Sequence, residues 1–240
     1  MINGDERARA GRRDLFNIHL EQDELAVKLG GGIPRGSTVL IEGAEGSGRS
    51  ALCQRILYGL LSNGHSATFV STELTLRDFI DQMYSLEYKI GDRMIDGSLQ
   101  YFPVYPLIGH SRCRGDFLDK LMSSPHLYSK DVLFIDSLTT LTKDSLTEAS
   151  CIGLMGFFKK QMKLDKTIIM TADESCRAAD PIRQAADVYL SIKMKPSGQE
   201  IVRTVYTIRY QRAKHRVDDM MRIRIEPGIG LVIEITEVSG

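Results

Sequence analysis

An eight-residue stretch, GAEGSGRS from Gly43 to Ser50, has the spacing of the phosphate-binding loop GxxxxGK[ST]. In such a loop the glycines let backbone N–H groups turn toward phosphate oxygens. The following helix presents its positive N-terminus, and the final hydroxyl joins the ligand shell of a magnesium ion. Gly43, Gly48 and Ser50 fill the defining positions behind an apolar run that begins at Thr38. The spacing therefore predicts a phosphate site between a strand and a helix.

Arg49 stands where this loop normally carries lysine. Arginine keeps the positive charge but spreads it over a planar, forked head instead of a compact ammonium group. Catalysis of phosphoryl transfer depends mainly on positioning and electrostatics, so a misplaced charge costs roughly a hundredfold in turnover. We expect Arg49 to preserve nucleotide binding and to slow hydrolysis. The alternative is a side chain that simply points into solvent.

Two carboxylates follow predicted strands, where the tips of adjacent parallel strands converge on a ligand crevice. Asp136 ends a continuous apolar run and is predicted to hold magnesium directly or through water. The alternative for Asp136 is a turn cap, because Ser137 follows it. Glu73 is the candidate catalytic residue, which would orient or deprotonate the attacking water. The alternative for Glu73 is an interaction with a helix dipole.

These residues need a sheet and its crossover helices to position them. Apolar runs alternate with helical patterns through the first two thirds of the chain, which predicts an α/β fold with a mostly parallel sheet flanked by helices. The predicted strands are Thr38–Glu42, Ala67–Ser71, Leu99–Val104, Val132–Ile135 and Thr167–Met170. Helices are predicted over Arg49–Leu61, from about Thr75 onward, and from about Thr147 to Leu164.

The pattern changes after Asp187, where two hairpins are predicted. One joins residues 188–192 to 201–210 around Pro196-Ser197-Gly198, and the other joins residues 221–225 to 231–235. The predicted core therefore continues into antiparallel strands at its C-terminal end.

Composition excludes several classes of protein. The 31 basic and 31 acidic residues cancel, which argues against a surface built to coat nucleic acid or a membrane. The four cysteines form no CxxC pair, so neither a disulfide framework nor a zinc site is indicated, and a reducing cytoplasm is expected. No apolar run is long enough to span a membrane. Residues 1–24 are predicted to be a flexible polar arm, and residues 25–238 a single domain.

Several separated motifs resemble a known family. The approach to the loop, LGGGIPRGS from Leu29 to Ser37, resembles the KaiC branch of RecA-like ATPases. Three further segments look like those of the FlaH family, the accessory ATP-binding proteins of the archaellum motor. These segments are STEL with FIDQM (71–74 and 79–83), RYQRAK (209–214) and EPGIGL (226–231). The resemblance spans residues 25–238.

The resemblance implies a RecA-like P-loop core that binds ATP and Mg²⁺ with weak hydrolysis. It implies a homo-oligomer, a hexameric ring, which docks on the motor ATPase and the membrane platform protein of the archaellum. Such a protein would be cytoplasmic and peripheral to the membrane through these partners. The implied phosphate and magnesium contacts are Gly43, Gly46, Ser47, Gly48, Arg49, Ser50 and Ala51, with Ser50 and Asp136 on the metal and Glu73 as the catalytic glutamate.

A basic C-terminal segment completes the implied site. Ring ATPases of this type place basic residues of one subunit against the γ-phosphate of the next, and Arg209, Arg212 and Lys214 are the matching positions. Between Lys193 and Arg224 there are nine Lys or Arg against three Asp or Glu, a local net of +6. We expect Arg209 to reach a neighbour's nucleotide; the alternative is a solvated hairpin edge protected by charge.

Two other functions are compatible with the sequence. A recombinase paralogue that binds DNA would use the basic segment, although the neutral overall charge makes nucleic acid an unlikely partner. A KaiC-like autokinase would modify a hydroxyl near the site, such as Ser71 or Thr72. The leading hypothesis is that ATP acts mainly as a ligand that orders a ring and its docking surface.

Overall fold

The computed structural model describes residues 14–104, 116–140, 142, 146–198 and 200–234. The strands are β1 (Leu15–Phe16), β2 (Ile33–Pro34), β3 (Thr38–Gly43), β4 (Ala67–Ser71), β5 (Leu99–Pro103), β6 (Val132–Asp136), β7 (Thr167–Asp173), β8 (Val188–Ser197), β9 (Glu200–Tyr210), β10 (Met220–Glu226) and β11 (Gly230–Glu234). The α-helices are α1 (Leu25–Lys28), α2 (Arg49–Ser62), α3 (Leu76–Ser85), α4 (Gly91–Ile95), α5 (Phe117–Ser123), α6 (Glu148–Lys163) and α7 (Asp180–Ala185). Two 3₁₀ turns cover Pro125–Tyr128 and Arg177–Ala179.

Nine strands form one sheet in the order β11-β10-β9-β8-β3-β7-β6-β4-β5. Neighbouring strands in the part β8-β3-β7-β6-β4-β5 are parallel. Neighbouring strands in the part β11-β10-β9-β8 are antiparallel. β1 and β2 form a separate antiparallel ribbon. The predicted α/β class, with a mostly parallel sheet and antiparallel C-terminal strands, is confirmed.

Each face of the parallel part of the sheet is covered by helices, as a buried parallel sheet requires. On one face α2 and α3 pack against the strands, and the rings of Phe69 and Phe79 lie 4.9 Å apart. On the other face α5, α6 and α7 cover the sheet through side chains such as Leu154 and Phe158. The parallel strands are therefore fixed from both sides, and their carboxyl ends are held in register.

The predicted helix boundaries agree closely with the structure. Asn63 is the C-cap of α2, and Gly64 follows it with φ +79°. Thr75 caps α3 by accepting a hydrogen bond from the Asp78 N–H at 3.2 Å, and Thr147 caps α6 in the same way. These local signals predicted where the helices begin because the capping side chain lies within three residues of its partner.

The flexible N-terminal arm predicted over residues 1–24 includes residues that belong to the folded domain. Residues 14–24 are part of it, because Phe16 and Ile18 are fully buried in the core. Asp23 also forms a two-point ion pair with the buried Arg55 of α2. Residues 14–24 therefore pack with the rest of the fold and do not form a flexible arm, whereas residues 1–13 lie outside the described part of the chain.

Most predicted strand boundaries lie within one residue of the observed ones, and two differ by more. β7 continues through Asp173 instead of stopping at Met170, because its last three residues pair with β3 and the first two of these, Thr171 and Ala172, are fully buried. In the first hairpin Pro196 and Ser197 pair with β9 and belong to β8. Proline is tolerated at this exposed strand end. The predicted end of the second hairpin, Ile235, lies outside the described residues.

Candidate functional site

The glycine loop leaves the carboxyl end of β3 and enters α2, as the spacing predicted. Gly46 and Gly48 have φ of +76° and +92°, a conformation that glycine adopts without steric cost. A Cβ at Gly43 would collide with the hydroxyl of Ser47. Gly43 and Gly48 are therefore required by the close packing and the left-handed turn of this loop.

The entrance to α2 fits an anion. Gly48 is the N-cap and supplies no side-chain cap, and the first turn contains no acidic residue. Ser47 is fully buried, and its Oγ has no hydrogen-bond partner in the part of the chain that the structure describes. Free N–H groups at the positive end of a 14-residue helix, beside an unpaired hydroxyl, suit phosphate oxygens. The loop residues from Gly46 to Ala51 are thus placed where a phosphate group would be bound.

Arg49 does not point into solvent. Its side chain is 10% exposed, and Nη1 donates to the Gly43 carbonyl at 2.6 Å. The same atom lies 3.4 Å from Asp173 Oδ2, and Nη2 lies 4.0 Å from Glu73 Oε1. The guanidinium is therefore held between the loop and the ends of neighbouring strands.

Asp136 lies at the carboxyl end of β6, where it was predicted. Ser50 Oγ of α2 and Thr171 Oγ1 of β7 donate hydrogen bonds to its Oδ1, at 3.0 Å and 2.6 Å. Burial raises the pKa of Asp136 to about 6, and the charge of Glu73 acts in the same direction. The Thr171 and Ser50 hydrogen bonds and the charge of Arg49 oppose this increase. The two predicted magnesium residues, Ser50 and Asp136, are in direct contact.

Glu73 lies just beyond β4 on the same edge of the sheet. Its Oε1 accepts a hydrogen bond from Thr140 Oγ1 at 2.6 Å and faces Arg49. The start of the following helix, α3, is capped by Thr75. This position fits a residue directed toward the phosphate loop better than one that complements the helix dipole.

The contacts of the Arg209 side chain lie at α7 and not at the phosphate loop. Its Nη1 donates to the carbonyls of Arg183, Gln184 and Ala186 at the end of α7, at 3.0, 3.0 and 2.7 Å. The structure therefore shows a helix cap formed by Arg209. Contact with a neighbouring subunit's nucleotide stays a prediction.

Two residues at the site were missed by the sequence analysis. Thr171 contacts Asp136, and Asp173 contacts Arg49. Both lie at the end of β7, and Asp173 is directly opposite Gly43 in the register of β3 and β7. A signal was available, since polar residues at the carboxyl end of any predicted parallel strand lie on the ligand side of the sheet.

The antiparallel strands also reach the loop. A Cβ at Gly48 would lie 2.6 Å from Ile225 Cδ1 of β10 and 3.7 Å from Arg203 Cδ of β9. Arg203 Nε is buried and has no hydrogen-bond partner among the described residues. No short sequence signal places Arg203 here, because its position depends on the pairing of β8, β9 and β10.

The described ranges contain neither a cluster of metal-binding side chains nor a membrane-spanning helix. No group of three or more His, Cys, Asp or Glu side chains there could hold a metal ion without another ligand. Across the same ranges, no helix combines the length and apolar character needed to cross a membrane. Magnesium often binds through one or two protein oxygens together with nucleotide phosphates, which is compatible with Ser50 and Asp136.

The site combines a glycine loop, a free helix N-terminus and a buried carboxylate, Asp136, on β6, which is separated from β3 by β7. This combination defines a RecA-like P-loop protein. A family model described as "ATPase: KaiC" matches residues 21–237. The archaeal flagellar ATP-binding protein FlaH of Methanocaldococcus jannaschii is 38% identical over 95% of this chain and 100% of its own length. The protein of the same name from Methanococcus voltae is 34% identical over 92% and 98%.

A solved structure agrees with these relatives. The crystal structure of the flagellar accessory protein FlaH from Methanocaldococcus jannaschii superposes with a TM-score of 0.86 at 37% identity, covering 93% of this chain and 100% of that one. The chain belongs to the KaiC family of ATPases and, within it, to the FlaH family. The resemblance drawn from the separated sequence motifs is confirmed.

Proposed function

We propose that this protein is an ATP-binding accessory component of the archaellum motor, in which ATP with Mg²⁺ acts mainly as a ligand. Nucleotide occupancy would order a homo-oligomeric ring, six subunits by the family pattern, and the surface that meets the motor ATPase and the membrane platform protein. The protein would work in the cytoplasm, at the membrane only through these partners. Hydrolysis would be slow or absent.

The placement of Arg49 carries this proposal. The loop keeps the features that bind phosphate, namely the glycine turn, the free helix N-terminus and the Ser50–Asp136 contact. The charged group that should stabilise the transferring phosphoryl group is instead bound to the Gly43 carbonyl and faces two carboxylates. Nucleotide binding requires the glycine turn, the helix N-terminus and the Ser50–Asp136 contact. Fast hydrolysis also requires a positive charge against the transferring phosphoryl group.

The names of the relatives supply the biological setting. They are called archaeal flagellar ATP-binding proteins and a flagellar accessory protein. The sequence covers nearly their full length, so the proposed role concerns the whole domain. Ring assembly and the partner surfaces follow from the family pattern alone.

The test measures ATP binding and phosphate release in the same purified sample with magnesium, for the natural protein and for Arg49→Lys. We expect both proteins to bind ATP and only the lysine variant to release phosphate at an appreciable rate. Equal turnover of the two proteins would show that arginine is a competent substitute and would support an active ATPase instead. Intact-mass analysis of the same samples detects any autophosphorylation, for example at Thr72, whose buried hydroxyl is bound to Ser137.

A further inference from the structure

Hydrogen bonds with residues other than Arg49 hold Asp173 in place. Its Oδ1 accepts hydrogen bonds from the N–H and the hydroxyl of Ser175, at 2.9 and 2.6 Å. Its own N–H donates to Thr139 Oγ1 at 2.9 Å. The remaining oxygen, Oδ2, faces Arg49 Nη1. Asp173 is thus a preorganised anion at the end of β7, beside the first glycine of the loop.

Arg49 is well suited to be held by this anion. Its forked head lets Nη1 bond the Gly43 carbonyl and face Asp173, while Nη2 faces Glu73. Burial acts to raise the pKa of Asp173, but the two Ser175 hydrogen bonds and Arg49 together lower it. Asp173 is therefore charged at neutral pH, and the guanidinium already has an anionic partner.

We propose that Asp173 is a positioning residue that holds Arg49 away from the nucleotide, so that a nucleoside triphosphate must compete with Asp173 for Arg49. This inference rests on the proposed function, because it assumes that the loop binds ATP. The terminal phosphate brings the additional negative charge that can exchange with a carboxylate on the guanidinium. The competition therefore lowers affinity for a triphosphate more than affinity for a diphosphate.

The test is Asp173→Asn, which keeps the shape of the side chain and the acceptor that faces Ser175. Dissociation constants are measured by calorimetry with Mg²⁺ for ADP and for a non-hydrolysable ATP analogue. We expect the variant to bind the triphosphate about fivefold more tightly and ADP within about twofold of the natural protein. The matched control is Glu174→Gln, which removes the same charge one residue away, where the partner is Lys193 instead of Arg49. The control should leave both constants unchanged.

A second measurement separates positioning from simple structural support. Without nucleotide, Asp173→Asn should lower the melting temperature, because Arg49 loses its anionic partner while remaining largely buried. A residue that only supports the fold would lower the melting temperature and leave triphosphate binding equal or weaker. The proposal instead predicts that Asp173→Asn lowers the melting temperature and tightens triphosphate binding.

The effect must also depend on Arg49. In the Arg49→Lys background, Asp173→Asn should change triphosphate affinity by less than half of its effect in the natural protein on a logarithmic scale, because lysine lacks the fork that engages both groups. If the natural protein binds ATP but Asp173→Asn does not tighten triphosphate binding, the role of Asp173 is wrong while the proposed function survives. If neither the natural protein nor any variant binds ATP, the proposed function itself fails.

Discussion

The carboxyl edge of the parallel strands and the antiparallel extension both carry many charges, but they place them differently. At the parallel edge Arg49, Asp136 and Asp173 converge, and the first two are almost fully buried. On the extension the charges are spread along β8 to β11, and Arg224, with 58% of its side chain exposed, pairs with its neighbours Glu226 and Glu234 on the same surface. Charges act strongly on one another when water is excluded and weakly when they are solvated. The comparison locates the chemistry at the parallel edge.

The largest expected effect is that of Gly48→Ala. The new Cβ would sit at φ +92°, which alanine rarely adopts, so relief of this strain should move the first turn of α2 away from the phosphate position. The Cβ would also lie 2.6 Å from Ile225 Cδ1, so that side chain must move as well. Nucleotide affinity should fall by at least about a hundredfold, measured by calorimetry with ATP and Mg²⁺.

The matched control for this glycine lies on the extension. Gly198 has φ +63°, and no described atom lies within 4 Å of a Cβ built there. Gly198→Ala should cost a similar backbone strain and leave nucleotide affinity unchanged. Equal losses of affinity in both variants would mean that the two regions are not functionally distinct.

The second prediction concerns stability at the parallel edge and its dependence on pH. The pKa of Asp136 is raised from 3.8 to about 6, so between these values the folded protein binds more protons than the unfolded chain. The contribution of Asp136 to stability therefore falls as pH rises from about 4 to 6, and this loss persists above pH 6. Asp136→Asn carries no charge and should exceed the natural protein in free energy of unfolding by about 3 kcal/mol at pH 8, with little difference at pH 4.

Urea unfolding at both pH values, with EDTA and without nucleotide, checks this prediction. Asp219→Asn is the control on the extension, where the side chain is exposed, and it should show no such pH-dependent gain. A loss of stability at pH 8 in Asp136→Asn would contradict the view that the buried carboxylate is kept for magnesium at the expense of the fold.

The sequence predicted the parts of the site that depend on local order. The strand, loop and helix from Thr38 to Ser62 follow from neighbouring residues, and so does the cap at Thr75. Asp173 could have been placed at the ligand edge as a polar residue after a predicted strand, but its position opposite Gly43 depends on the register of β3 and β7. The role of Arg203 could not be predicted, because strand pairing brings it to the loop from a distant part of the chain. The burial of Phe16 and Ile18 was missed although a signal was available, since Phe16, Ile18 and Leu20 alternate with the polar Asn17 and His19.

The third prediction tests the point where the two regions meet. Arg203 is a half-buried cation beside Gly48, and its Nε is unpaired among the described residues. Arg203→Gln should weaken nucleotide binding by about tenfold, because an anion at the helix N-terminus loses a nearby positive charge. Arg222→Gln is the matched control, since Arg222 lies on β10 one register position away and faces the opposite side of the sheet. Similar losses in both variants would indicate a general effect of net charge instead.

The smallest effect is expected for Arg209→Ala, and it distinguishes two roles for this residue. Within one subunit Arg209 binds three carbonyls at the end of α7, so its removal should lower the free energy of unfolding by about 1 kcal/mol. The affinity of an isolated subunit for ATP should stay within about twofold, because Arg209 is absent from its own phosphate loop. To contact a neighbour's nucleotide, Arg209 must first leave α7, so the loss of stability and the defect in assembly can be measured separately.

Sedimentation with ATP and Mg²⁺ measures assembly. If Arg209→Ala is destabilised but assembles as the natural protein does, Arg209 is a helix cap and does not contact a neighbour's nucleotide. If assembly is lost while the subunit still binds ATP, the extension acts on the nucleotide across a subunit boundary.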